Sequence, residues 1–134
     1  MNKKLYIAAC ILLAIAVING AFGAHLLKAL LDPAKLQAWQ TAVLYQFIHA
    51  LGILFLAGKA GNTHFHSGRI KIAGNLLLFG VILFSGSLYF LTTQNLLGLN
   101  LGFLGPITPI GGLLFIGGWI MALFSLKKGN SNGM

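Results

Sequence analysis

Gln46 and His49 lie three residues apart, and Tyr45 and His49 four apart, spacings that bring an amide, an imidazole and a phenol onto one face of a helix. Such a face can hydrogen-bond to a neighbouring helix or line the path of a polar solute, and with His25 it invites a bis-histidine haem or metal reading. Little else in the chain is reactive. His64 and His66 have no acidic or cysteine neighbours to complete a metal site, Cys10 is the single cysteine, and Asp32 is the single acid. One cysteine permits neither an intrachain disulfide nor a cysteine cage. No nucleophile with its base and no acid pair is visible, so no enzymatic activity is expected.

The elements that must position these residues follow from composition. Of 134 residues 57% are apolar and 7% charged, with a mean hydropathy of +0.88. A soluble domain carries about a quarter charged residues to coat its surface, so this chain belongs in a bilayer. A hydrocarbon core about 30 Å thick takes roughly 20 apolar residues per helix, which leaves room for four or five spans and no soluble catalytic domain. Four apolar segments predict an all-α integral membrane protein, one domain over residues 1–134. It is an antiparallel bundle of four transmembrane helices at about 5–31, 33–57, 72–93 and 109–126, with a disordered tail over 129–134. Asp32-Pro33 stops the first helix and caps the second, and Thr108-Pro109 repeats that pattern before the fourth. The mixed polarity of residues 34–40 places Trp39 at the interface. Lys3 and Lys4 ahead of an apolar run look like a secretory signal, but apolar residues continue to Leu31, which fits a span rather than a cleaved leader.

Nine Lys and Arg against one acid give a net charge of +8. They form no basic face or stripe, so nucleic acid is not an expected partner. Lys3, Lys4, Lys59, Arg69, Lys71, Lys127 and Lys128 fall at the termini and the middle connection, whereas the other two connections hold only Lys28 and Lys35. That asymmetry predicts cytoplasmic termini and attraction to anionic lipid headgroups.

Placed on these helices, the reactive residues lose some of their options. His25 falls near the outer interface and His49 about 10 to 15 Å deeper, so one chain does not easily ligate a haem or metal with both, and no cofactor is expected; ligation between subunits stays open. No carboxylate enters a span, which argues against proton-coupled pumps and small multidrug exporters. Asn75, Ile82 and Tyr89 recur every seven residues, as do Leu78, Ser85 and Thr92, giving the third helix a partly polar seam. Small residues form a smoother signal. Ala9, Ala16 and Gly23 are spaced by seven and Ala16, Gly20 and Ala24 by four on the first helix, with Gly111 and Gly118 on the fourth, and these stripes predict close helix packing. A leucine at Gly20 is expected to lower the thermal stability of the bundle in detergent.

Several segments are recognisable together. They are residues 20–28 (GAFGAHLLK), 40–52 (QTAVLYQFIHALG), 84–89 (FSGSLY) and 107–112 (ITPIGG). In this order, and over essentially the whole chain, they closely resemble the small bacterial inner-membrane family of unknown function that includes YgdD and YwdK. The resemblance implies a multi-pass plasma-membrane protein with four spans, and it carries no catalytic residues over. Independently of it, His25, Tyr45, Gln46, His49, Ser85, Tyr89 and Thr108 are drawn from four helices and can line a shallow, outward-facing polar pocket, or serve as internal glue. Two classes of function stay open. One is a structural or accessory component that binds other membrane proteins through its Gly and Ala faces. The other is a small oligomeric permease or channel passing a neutral or weakly polar solute by Gln46 and His49. A wet seam favours the second, a dry and fully paired interior the first.

Overall fold

A computed structural model describes residues 1–129; positions 130–134 of the expected tail lie outside the described residues. Four helices are long and apolar enough to span a membrane. The first, α1, runs Lys3–Leu30 and contains one π turn, Gly23–Leu27. It starts where the Asn2 side chain accepts from Leu5 N at 3.1 Å, and its backbone becomes extended at Leu31, just ahead of Asp32-Pro33. Helix α2, Pro33–Lys59, has the expected start, since the Asp32 carboxylate accepts from Lys35 N at 2.9 Å and Pro33 takes the first turn.

Helix α3, Ser67–Leu97, is longer at both ends than its apolar run, because hydropathy marks only the stretch inside hydrocarbon. Its first turn carries Ser67, Gly68 and Arg69, yet Ile70 is fully buried there, in one cluster with Leu5 and Ala57. Its end is a left-handed Gly98 (φ 65°), with Leu99 N bonded to Gln94 O at 3.0 Å. Helix α4, Ile107–Phe124, begins two residues before Pro109, the expected start. Pro106 is its N-cap residue, and the Thr108 hydroxyl is turned inward for another purpose.

Each helix packs on its chain neighbour, α1 on α2, α2 on α3 and α3 on α4, while α1 meets α3 only lightly. The main core lies toward the end that carries the N-terminus. There Leu5, Ile53, Leu56, Leu77, Val81 and Phe115 surround the small residues Ala9, Ala57 and Ala73. A second cluster, Leu27, Trp39 and Val43, holds the Asp32 end. The outside is as apolar as the inside: Phe103, Leu113 and Leu123 are 68%, 67% and 69% exposed. A surface of that kind is solvated by lipid tails rather than by water. The connection after α2 is tied to the end of α4 by His66 N to Ser125 O at 2.7 Å and Lys127 N to His64 O at 2.9 Å.

Candidate functional site

The polar residues inside the spans must find partners within the chain, because hydrocarbon offers none. At the Asp32 end the partner is a backbone carbonyl. Trp39 is a buried wedge, 7% exposed, whose indole Nε1 donates to Asn19 O at 2.8 Å. Its ring lies where a side chain on Gly23 would go, since a Cβ there would stand 2.7 Å from Trp39 Cδ1. The π turn begins at this glycine, and it leaves His25 and Ala24 exposed. At Gly20 the fit is looser, with Val43 Cγ1 at 3.5 Å from an added Cβ. Gly23→Ala is therefore expected to cost about 1–3 kcal/mol and Gly20→Ala almost nothing, read as melting temperatures in detergent. Leucine at Gly20 reaches further toward Val43 and should still destabilise.

Two turns beyond Trp39, Gln46 is 2% exposed and has both ends of its amide engaged. Its Nε2 donates to Leu12 O at 2.7 Å, and its Oε1 accepts from Tyr89 Oη at 2.6 Å, so one side chain joins α1, α2 and α3. The Tyr89 ring in turn lies 4.6 Å from that of Trp39. Ser85, fully buried on α3, donates to Ala42 O at 2.7 Å. Ser87 Oγ, bonded to Phe84 O at 3.0 Å, also meets Thr108 Oγ1 at 2.6 Å and so pins the start of α4 to α3. Thr92 and Thr93 bond back to carbonyls of their own helix. Among the described residues no buried side-chain nitrogen or oxygen lacks a partner.

His49 diverges from Gln46 despite the shared face. Its Nδ1 donates to Tyr45 O at 2.8 Å, and its ring stacks on Phe115 of α4 with centroids 3.6 Å apart. Tyr45, Phe84 and Trp119 complete an aromatic cluster around it. Glycines make room for the rings: a Cβ on Gly52 would lie 2.6 Å from Trp119 Cη2, and one on Gly80 would lie 2.7 Å from Phe115 Cε1. Gly111 and Gly118 are buried against α3, as Ala16 and Gly23 are against α2; Ala24 alone of the small-residue set is turned outward. The stripes are thus covered by the chain's own helices rather than offered to partners.

The seven residues read as one pocket resolve into separate settings. Gln46 pairs with Tyr89 and Tyr45 lies beside His49, while Ser85 and Thr108 close two different helix contacts and His25 stands apart on the surface. A groove of about 400 Å³ lies over Gln46 and Tyr89, but its walls are Leu12, Ile15, Val81, Ile82 and Phe90. A second groove of about 310 Å³ continues along Phe22, Leu26 and Leu30 on one side and Phe90 and Leu97 on the other. Both are apolar furrows between α1 and α3. The sequence reading does not single out Phe115 or Trp119, because aromatic residues in apolar helices carry no spacing signal of their own. Gly52 and Gly80, which face them, are the available clue.

Four apolar spanning helices closed around a paired polar interior define a small polytopic membrane protein. The chain belongs to the family described as "Protein of unknown function (DUF423)", which matches residues 19–112. It is 42% identical to the UPF0382 membrane protein SH2409 of Staphylococcus haemolyticus, over 93% of this chain and 97% of that protein. It is 43% identical to SERP0230 of Staphylococcus epidermidis, over 84% of this chain and 86% of that one. The UPF0382 membrane protein YwdK of Bacillus subtilis is 42% identical over 85% of this chain and 88% of its own length. No solved structure matches the chain.

Proposed function

We propose that the protein is a non-enzymatic structural or accessory component of the bacterial plasma membrane, with both termini in the cytoplasm. The observation that carries this reading is the paired interior: every fully buried polar side-chain atom among the described residues has its partner inside the chain. A permeation path needs polar groups left free to replace the water of a passing solute. Here Gln46, Tyr89, Ser85 and Thr108 are spent on holding helices together, and the furrows over them are apolar. The orientation rests on the basic residues gathered at the end that holds both termini. Those residues also favour contact with anionic headgroups, and partners meet the chain through its lipid-facing surface.

Single cysteines at positions 25, 46, 49, 85 and 89 in a Cys10→Ser background, probed with a membrane-impermeant thiol reagent from each side, test the reading. The expected result is reaction at 25 alone. Labelling at 46 or 49 in a variant that melts like the parent means that water reaches mid-membrane, and the protein is then a permease or channel.

A further inference from the structure

We infer that two copies of this chain associate in the membrane through the shallow seam between α2 and α4, joined by reciprocal hydrogen bonds from the Trp119 indole N–H of each copy to the His49 imidazole of the other. Helices α2 and α4 both pack on α3 and meet each other through side chains, with His49 against Phe115 and Gly52 against Trp119. Three polar atoms on this seam have no hydrogen-bond partner among the described residues: Tyr45 Oη, His49 Nε2 and Trp119 Nε1. The carbonyl of Tyr45 can only accept, so His49 Nδ1 carries the hydrogen in that bond and the neutral ring presents Nε2 as an acceptor. Because no fully buried polar atom lacks a partner, Nε2 keeps some accessible surface although His49 as a whole is 6% exposed; Tyr45 and Trp119 are 37% and 41% exposed.

What lies outside at that depth is hydrocarbon. His49 is ten residues before the end of α2, about 15 Å along the axis, and Trp119 is five before the end of α4, about 7.5 Å, so neither reaches bulk water. An unpaired donor and an unpaired acceptor in lipid are both costly, and each is what the other lacks. Helices α2 and α4 run in the same direction, and the rings of His49 and Trp119 are 5.9 Å apart within one chain. A two-fold axis along the membrane normal therefore brings Trp119 of one copy to the level of His49 of the partner subunit, and the reverse, as an isologous interface requires. Tyr45 supports the choice of a second copy over a different protein. A hydroxyl both donates and accepts, so Tyr45 can pair with Tyr45 of the partner subunit on the axis.

The test is energy transfer between labelled copies in phosphatidylcholine vesicles across a range of protein-to-lipid ratios. Wild type should dimerise. Trp119→Phe, which keeps the ring and removes the N–H, should weaken the dimer about tenfold, the loss expected for two membrane hydrogen bonds. His49→Phe should do the same, and the double variant should lose no more than either single one. A wild type that stays monomeric, or a dimer indifferent to Trp119→Phe, overturns the inference. Should the variants melt early, oxidative crosslinking decides instead. In a Cys10→Ser background, Ile48→Cys on α2 and Ile116→Cys on α4 should crosslink between copies, and Ile18→Cys on α1 should not; the opposite pattern places the second copy on α1.

Discussion

Alanine at Gly111 should destabilise the bundle by about 2–3 kcal/mol, while alanine at its neighbour Gly112 should leave it unchanged. The difference comes from what each new methyl group would meet. At Gly111 the Cβ would lie 2.8 Å from Phe84 Cα and closer still to its backbone nitrogen, so relief requires moving one helix away from the other. At Gly112 the nearest atom is Phe84 Cδ2 at 3.9 Å, an ordinary contact. Between spans there is no hydrophobic gain to offset a gap, since lipid tails are as apolar as the side chains, and close packing supplies much of the association energy. Opening the α3–α4 seam also strains the Ser87–Thr108 contact and the stack of His49 on Phe115, which depend on the same separation. Unfolding by titration with a denaturing detergent reads the two variants side by side. Equal changes at both positions, such as the small gain that alanine's higher helix propensity would give to each, would show that packing does not govern this seam.

That contrast also marks how far the residues could be read in advance. Four spans and their order follow from hydropathy, and the Asp32-Pro33 start of α2 follows from a cap and a proline, because both signals are local and one-dimensional. The ends of α3 were missed since Ser67, Gly68 and Arg69 continue a helix whose hydropathy has already fallen. Thr108 was misplaced for the opposite reason. Its type and its proline neighbour fit a helix start, but the hydroxyl is taken by Ser87 of α3, a residue 21 positions away. Small-residue spacing marks α1 and α4 as surfaces for close approach, yet it does not say what approaches them. The α1 stripe is met by Trp39, and Gly111 is met by a backbone. Gln46 and His49 share a helical face by spacing, but their side chains leave it in different directions. One goes toward α1 and α3, the other toward the rings of α4, and only the packed neighbours decide that division.

The pairing of Gln46 with Tyr89 gives the second large effect and tests the dry interior directly. Gln46→Met keeps the length of the side chain and removes both amide bonds, leaving the Tyr89 hydroxyl without its acceptor; the expected loss is about 1–2 kcal/mol. Tyr89→Phe keeps the ring against Trp39 and leaves Gln46 Oε1 unpaired, for a smaller loss. In the double variant neither orphan remains, because the partners have gone together. It should therefore be more stable than the sum of the two losses predicts, by about 0.6 to 1.7 kcal/mol, the range for paired groups inside membranes. Additive losses would carry a different meaning. They would show that each orphaned group finds another partner, and beside an apolar furrow of Leu12, Ile15 and Phe90 the available one is water. A furrow that admits water at the depth of Gln46 is the beginning of a solute path, so additivity would favour a permease, and strong coupling favours a bundle whose polar residues serve to hold its helices together.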